Sequence, residues 1–209
     1  MANSTQIDLA RFLTHERHRV HLLGVAGSGM SGIAALLLEL GHVVSGSDKS
    51  VSLEVERLQR NGLRFFHQHR AEDAAEAELI VFSSAIKEEN PILVSSRAHK
   101  RPVVRRAEAL AAMMESKRGI IVAGMHGKTT TSAMTAHVLR EGGLHPSHYV
   151  GAEIPILGTN AHWDRKGEWF VAEGDESDGT IRLFRPEHTL VLNSEPEHLD
   201  FYEDVSAIE

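Results

Sequence analysis

The sequence predicts an α/β fold with two parallel-sheet domains in succession. Short apolar runs rich in β-branched residues alternate with amphipathic stretches, which is the pattern of βαβ units. A glycine-rich turn at residues 24–32 follows the first of these runs. A second glycine-containing turn at residues 124–130 follows another apolar run, and the alternation starts again there.

The first domain is predicted to span residues 1–107, about the usual size of a mononucleotide-binding domain. It opens with a buried strand at 19–24, the glycine turn, and a helix at 29–40 that Gly41 ends as a C-terminal cap. The pattern then predicts a strand at 42–46, a helix at 53–60, and strands at 63–66, 79–83 and 102–104.

The second domain is predicted to span residues 108–209. A bridging helix at 106–116 leads to a strand at 119–123, a helix at 128–141 closed by Gly142 and Gly143, and strands at 169–172 and 189–193. Sheets of this kind usually contain more strands. The sequence therefore predicts a second domain that is unusually small or a piece of a larger one.

The composition excludes several classes of protein. The chain has 209 residues, no cysteine, 24% charged residues and a formal net charge of −7. Without cysteine it has no disulfide framework and no thiol nucleophile. It lacks a signal-peptide pattern, a membrane-spanning apolar run, and the cation clusters that bind nucleic acid. We expect a cytoplasmic protein with small-molecule partners, and the sequence does not indicate its oligomeric state.

The first glycine turn is a candidate nucleotide site. It lies between a predicted strand and helix, where glycine lets the backbone approach a diphosphate. Asp48 ends the second strand, where an acid can accept a hydrogen bond from a ribose hydroxyl. These features favour a Rossmann-like domain and, taken alone, a dinucleotide ligand. However, Ala26 stands at the second glycine position, and a tight turn without a ligand is the alternative.

The second glycine turn predicts a triphosphate-binding loop in a domain of the P-loop ATPase type. It reads Gly124-Met125-His126-Gly127-Lys128-Thr129-Thr130, two residues shorter than the general pattern. Lys128 is expected on the β- and γ-phosphates, and the Thr129 hydroxyl on Mg²⁺. Acidic residues at 173–178 and 195–197 follow two predicted strands, so we expect them at the same sheet edge. They are either Mg²⁺ ligands or a solvated surface.

These motifs together resemble the Mur ligase family over nearly the whole chain. The matching segments are HLLGVAGSGMSGIA at 21–34, SGSD at 45–48, SSAI at 83–86, NP at 90–91, RAE at 106–108, GMHGKTTT at 124–131, GTNA at 158–161, EGDESDG at 173–179 and NSEPEHLDFY at 193–202.

The resemblance implies an ATP-dependent amide ligase that joins L-alanine to the lactyl carboxylate of UDP-N-acetylmuramate through an acyl phosphate, in peptidoglycan precursor synthesis. It implies a Rossmann-like domain that holds the UDP-sugar instead of NAD, followed by a P-loop domain that is truncated here. A third, amino-acid-binding domain is expected beyond residue 209, so this chain alone is expected to be inactive. The implied partners are UDP-N-acetylmuramate, ATP and L-alanine, with Mg²⁺ as the cofactor.

The resemblance also assigns residues to roles. The UDP-sugar residues are Gly27, Ser28, Gly29, Met30, Ser31, Asp48, Ser83, Ser84, Ala85, Thr159 and Asn160, and the ATP residues are those from Gly124 to Thr130. Lys128, His126 and His198 are the implied catalytic residues, and Thr129, Glu173 and His198 the implied metal ligands. Ala26, Met125, Gly174 and Glu197 depart from the residues usual in the family. Glu197 departs most, because the longer side chain displaces a carboxylate beside His198.

Three alternatives remain open. Within the family, a recycling ligase attaches a tripeptide to the same UDP-sugar, but it usually has tyrosine where Ser177 stands. A nicotinamide-dependent oxidoreductase would need a hydride-transfer constellation, which we do not find in the sequence. A nucleotide-binding module without catalysis is the third.

Overall fold

The computed structural model describes residues 7–174 and 180–194. The chain divides into two compact units, Met1–Met113 and Met114–Glu209, which we call the first and second unit. The division falls within a helix, Arg106–Glu115, whereas the sequence analysis placed the boundary at 107/108.

The first unit is a Rossmann-like α/β unit, as predicted. Its elements are α1 (Leu9–His15), β1 (Arg19–Leu23), α2 (Ser28–Leu40), β2 (Val43–Ser47), α3 (Leu53–Arg60), β3 (Arg64–Phe66), a 3-10 turn (Ala71–Ala74), β4 (Leu79–Phe82), α4 (Pro91–Ala98), β5 (Val103–Arg105) and α5 (Arg106–Glu115). The five strands are parallel in the order β3-β2-β1-β4-β5. This order brings the ends of β2 and β4 to either side of the turn that follows β1.

Local sequence explains where the helices of the first unit begin and end. Gly41 ends α2 with φ at 98°, a left-handed conformation that favours glycine. Asn90 caps α4, because its side chain accepts a hydrogen bond from the Ile92 amide, and Pro91 occupies the first turn. Ile92 and Leu93 of α4 then pack with Leu23, Ile80 and Phe82 in a buried cluster on one face of the sheet.

The second unit carries a five-stranded mixed sheet. Its elements are β6 (Arg118–Ala123), α6 (Lys128–Glu141), β7 (Ser147–Tyr149), β8 (Ala161–His162), β9 (Trp169–Glu173), a 3-10 turn (Thr180–Leu183) and β10 (His188–Val191). The order is β10-β6-β9-β7-β8, with every pair parallel except β7 with β8. The bounds of α6 match the prediction, whereas β7 and β8 were not predicted.

The core of the second unit lies between α6 and the sheet, where Ile120, Ala136, Val150 and Val171 are buried together. Both tryptophans of the chain, Trp163 and Trp169, belong to this unit. Across the two described stretches of the chain, no helix is long and apolar enough to cross a membrane.

Candidate functional site

The second glycine loop connects β6 to α6 through two left-handed glycines. Gly124 and Gly127 have φ values of 128° and 85°, which L side chains rarely adopt. The first amide of α6 bonded in the helical pattern is that of Thr131, which donates to the Gly127 carbonyl at 2.9 Å. The amides before it therefore lie at the positive end of the helix dipole, where an anion is stabilised.

Lys128 lies across this loop. Its Nζ donates a hydrogen bond to the Gly124 carbonyl oxygen at 2.6 Å, and the side chain is half-buried. The ammonium group is thus held over the loop that precedes the positive end of the helix dipole. The loop can neutralise a polyphosphate with a full positive charge and with helix amides.

Asn193, just after β10, holds the loop from the side. Its Oδ1 accepts a hydrogen bond from the His126 amide at 3.0 Å, and its Nδ2 donates to the His126 carbonyl at 3.0 Å. Asn193 begins the family-like segment at 193–202, which by itself predicts no role for this residue. The His126 amide is therefore bonded within the protein, and the His126 side chain is exposed.

Glu173 lies at the end of β9, the strand beside β6. Its Oε1 accepts a hydrogen bond from the Gly151 amide at 2.8 Å, and a Cβ on Gly151 would lie 2.7 Å from Oε2. Glycine is therefore needed at position 151 for the carboxylate to lie there. Asn160 is buried near the end of β7, where its carbonyl accepts from the Val150 amide at 2.8 Å.

The sheet of the second unit thus brings several predicted residues to one edge: the loop after β6, Glu173 after β9, and the 159–160 turn beside the end of β7. The predicted acidic residues at 175–178, and Glu197 with His198, lie outside the described residues. The assignment of any of these residues to a ligand stays a prediction.

The first glycine loop connects β1 to α2 within its own unit and begins with a left-handed glycine. Gly24 has φ at 82° and donates its N–H to the Ser47 carbonyl at 2.9 Å. The Ala26 amide donates to Asp48 Oδ2 at 3.0 Å. A Cβ on Gly24 would lie 3.2 Å from the Cβ of Ser83. The ends of β1, β2 and β4 therefore bring together the loop, Asp48 and the 83–86 turn.

Asp48 has a structural role that the sequence analysis did not predict. One carboxylate oxygen anchors the loop through Ala26, and the other accepts from the Lys49 amide at 2.7 Å. In both units, therefore, the amide of the third loop residue is bonded by a side chain just beyond the end of a neighbouring strand. This anchor is Asp48 in the first unit and Asn193 in the second.

The predicted UDP-sugar residues of the first loop differ in exposure. Met30 and Ser31 are only 2% and 0% exposed, and the Ser31 hydroxyl donates to the Ser28 carbonyl at 2.9 Å. Gly27 and Ser28 are exposed at the start of α2, and Ser84 and Ala85 are exposed in the turn after β4. The surface of the first unit at this edge is thus formed by the exposed residues, while the side chains of Met30 and Ser31 face its interior.

A series of hydrogen-bonded polar side chains connects His21 of β1 with serines of β2 and with His69. The His21 ring is hydrogen-bonded through Nδ1 to Ser45 Oγ at 2.8 Å and through Nε2 to Ser47 Oγ at 3.1 Å. Ser47 Oγ continues to His69 Nδ1 at 2.8 Å. Burial, with a smaller effect from nearby His69, lowers the pKa of His21 to about 3. His21 is therefore neutral at physiological pH.

Two α/β units, each with a glycine loop at the carboxyl edge of its sheet, define a protein that joins a Rossmann-like unit to one with a P-loop. The family model described as "Mur ligase family, catalytic domain" matches residues 19–118. The match runs from β1 to the first residue of β6, so it covers most of the first unit and ends before the second loop. Together with the relatives that follow, it shows that the chain belongs to the Mur ligase family.

Curated relatives match over almost all of this chain. A protein of Rhizobium johnstonii named UDP-N-acetylmuramate–L-alanine ligase is 47% identical over 189 residues, which are 90% of this chain and 40% of the relative. A protein of the same name from Myxococcus xanthus is 45% identical over 198 residues, 95% of this chain and 42% of the relative. The chain thus spans about 40% of the length of the curated relatives it matches.

Solved structures agree with this assignment. The UDP-N-acetylmuramate-alanine ligase of Thermotoga maritima superposes with a TM-score of 0.84 at 26% identity, covering 92% of this chain and 45% of that protein. The UDP-N-acetylmuramate:L-alanyl-gamma-D-glutamyl-meso-diaminopimelate ligase of Neisseria meningitides gives a TM-score of 0.83 at 27% identity, covering 92% and 65%.

Proposed function

We propose that this chain is part of an ATP-dependent ligase that joins L-alanine to the lactyl carboxylate of UDP-N-acetylmuramate, a step of peptidoglycan precursor synthesis in the cytoplasm. The observation that carries the proposal is the second loop, where Lys128 Nζ lies 2.6 Å from the Gly124 carbonyl over the start of α6. Relatives that bear the name of this ligase, at 45–48% identity, support the choice of substrates.

In the proposed reaction, a lactyl carboxylate oxygen attacks the γ-phosphorus of ATP, and the bond to ADP breaks. The amine of L-alanine then attacks the carbonyl carbon of the acyl phosphate. Inorganic phosphate leaves and the amine loses a proton. The first step brings two anions together, so it depends on positive charge at the transferring phosphoryl group. Lys128 and the first amides of α6 supply that charge.

The described residues fit a Mg²⁺ ion bound with the nucleotide. The Thr129 hydroxyl and the Glu173 carboxylate offer the hard oxygen donors that Mg²⁺ prefers. Within residues 7–174 and 180–194, no group of three acidic, histidine or cysteine side chains could hold a metal alone. The rest of the coordination shell would thus come from phosphate oxygens and water, the usual arrangement for Mg²⁺. The bound ion would neutralise phosphate charge.

We propose that His198, next to Glu197, is a ligand of a second Mg²⁺ ion. Imidazole is a poor ligand for Mg²⁺, so this ion should bind only with carboxylate and phosphate oxygens from the substrates. In the full-length protein, His198→Ala should therefore reduce the rate and raise the Mg²⁺ concentration needed for half-maximal rate. An unchanged rate and Mg²⁺ dependence would contradict the metal role.

For the first unit, we propose UDP-N-acetylmuramate as the ligand instead of NAD. The start of α2, where Gly27 and Ser28 are exposed, would lie against the diphosphate, with the exposed part of the 83–86 turn beside it. Asp48 would accept from a ribose hydroxyl while it continues to anchor Ala26. Thr159 and Asn160 stay predicted contacts of the same ligand.

Calorimetry on this chain tests that ligand directly. We expect binding of UDP-N-acetylmuramate, no comparable binding of NAD, and about tenfold weaker UDP-sugar binding for Asp48→Ala, the loss typical of one charge-assisted hydrogen bond. Asp48→Asn is the matched variant, because its amide oxygen can still accept from Ala26. NAD binding without a response to the UDP-sugar would overturn the proposal.

The tripeptide ligase remains the second candidate, because the Neisseria structure is that of such an enzyme and the chain covers 65% of it. The residue expected to distinguish the two, Ser177, lies outside the described residues. Phosphate release by the full-length protein, measured with L-alanine and separately with the tripeptide, separates the candidates. We expect activity with L-alanine.

A further inference from the structure

The loop that follows β6 takes its shape from the residues just after β10. We propose that Asn193 is a positioning residue that holds residues 124–127 in the conformation that receives the phosphates of ATP. This inference rests on the proposed function of the loop and adds a residue to it, in a role that sequence motifs do not assign.

Hydrogen bonds join the end of β10 to the loop that follows β6. β10 pairs with β6 as far as Val191 opposite Ala123, and the Leu192 amide extends the pairing by donating to the Ala123 carbonyl at 3.0 Å. Beyond that point the backbone of β6 leaves the sheet. There the Asn193 side chain replaces the strand backbone as hydrogen-bond partner, because its amide bonds both the N–H and the carbonyl of His126 at 3.0 Å each.

The loop after β6 and the residues after β10 also approach each other closely. A Cβ on Gly124 would lie 3.1 Å from both the N and the O of Asn193, and a Cβ on Gly127 would lie 3.3 Å from Leu192 Cδ1. The loop therefore lies directly against residues 192–193. Its two left-handed glycines provide the room for that contact, and Asn193 holds His126, which lies between them.

Asn193 also determines which amides of the loop can face an anion. Because the His126 N–H donates to Asn193, the amides proposed to face an anion are those of the first turn of α6, before the helical bond at Thr131. If Asn193 were removed, the His126 peptide could rotate. The left-handed turn at Gly127 that aligns those amides would then lose its lateral support.

The charge of the anchor also fits its ligand. In the first unit a carboxylate, Asp48, performs the same task on Ala26, next to a proposed ribose hydroxyl that can donate to it. In the second unit the anchor is a neutral amide, and the proposed ligand is a polyphosphate. A carboxylate at position 193 would keep the bond to the His126 amide but would repel both the His126 carbonyl and the phosphates.

Calorimetry with MgATP and MgADP on this chain, together with amide hydrogen exchange, tests the inference. For Asn193→Ala we expect about tenfold weaker binding of both nucleotides, and for Asn193→Asp a larger loss that shrinks at high salt. Both variants should bind UDP-N-acetylmuramate as the parent does. Asn61→Asp, a similar exchange at an exposed position after α3, is the matched control and should change no affinity.

Hydrogen exchange provides the readout that a general loss of stability would not produce. The His126 amide should be protected in the parent and exchange at least about tenfold faster in Asn193→Ala, while the Ile121 and Val122 amides of β6 keep their protection. A parent that binds no MgATP would overturn the proposed function, and the exchange result would then decide the role of Asn193 by itself. A parent that binds MgATP while both variants bind it equally well would overturn the inference.

Discussion

Replacing Lys128 with alanine in the full-length protein should reduce phosphate release by about 10²-fold or more, measured with UDP-N-acetylmuramate, ATP, Mg²⁺ and L-alanine all present. The variant loses the cation that lies across the second loop, with its Nζ 2.6 Å from the Gly124 carbonyl. That charge matters most when the carboxylate attacks the γ-phosphate, so the effect should fall mainly on kcat.

Lys166→Ala is the control for this experiment, because it removes an exposed lysine from the same unit. It should leave the rate within about twofold, as is usual for surface substitutions. UDP-N-acetylmuramate binding should be unchanged in Lys128→Ala, since the proposed diphosphate contacts lie in the first unit. A Lys128→Ala enzyme with nearly normal kcat would refute the role of the loop in phosphoryl transfer.

The second large effect is expected from acid. His21 is fully buried and its pKa is lowered to about 3 in the folded state, against 6.5 for an ordinary histidine. Between these values the unfolded chain binds a proton that the folded first unit excludes. His21 thus contributes its full stability above pH 6.5, and this contribution is lost progressively as the pH falls toward 3. The slope is about 1.4 kcal/mol per pH unit, or on the order of 5 kcal/mol over the window.

Amide hydrogen exchange of β1 and β2 between pH 7 and 4, corrected for the intrinsic exchange rate, measures this loss. His21→Gln should lower the free energy of unfolding of the first unit at neutral pH. Because the variant lacks this titrating group, the slope of that free energy with pH should decrease by the equivalent of about one proton. Burial also lowers the pKa of His42 and His69, so part of the slope should remain. His99→Gln, at an exposed position, is the control. A slope that is unchanged in His21→Gln would contradict this account.

The two tryptophans provide an internal reference for the acid experiment, since Trp163 and Trp169 both lie in the second unit. Their fluorescence reports on the unit that lacks His21. We expect it to respond less to pH than the exchange of β1 and β2 does. Equal responses of the two units would show that the loss of stability does not arise at His21.

Much of the fold could be predicted because its signals are local. The helices α3 and α6 have their predicted bounds, since Ser52 caps one and glycines flank the other. The signal for α4 was present in Asn90-Pro91, a capping residue followed by a first-turn proline, but its short helix has no clear apolar period. Recognising that pair would have located it.

The strand β7 could not be predicted from hydropathy, because polar side chains are buried in it, and β8 has only two residues. Ser147 and His148 are 0% and 4% exposed. Ser147 Oγ accepts from the Asp164 amide at 3.0 Å, and the His148 ring bonds the Thr159 carbonyl at 3.2 Å. Those partners are known only once the chain has folded, so a three-residue polar strand resembles a loop in the sequence.

In the candidate site, too, the residues with local signals could be predicted, and those whose partners are distant in the sequence could not. The positions of the glycine loops, Lys128 and Glu173 at strand ends could be predicted because each lies in a short segment that directly follows a strand. The role of Asn193 could not be predicted, since its partner His126 is 67 residues away. Nor could that of His21, which bonds serines 24 and 26 residues further on. Asp48 was found, but as a ribose contact and not as the loop anchor.

The paired anchors, Asp48 for the first loop and Asn193 for the second, bear on how such loops can be transplanted or searched for. A glycine loop moved into another scaffold would bring its own glycines but would leave behind the side chain that fixes its third residue. That side chain stands 22 residues downstream in one unit and 67 in the other. A graft, or a motif used to scan genomes, should therefore include both the loop and its distant anchor residue.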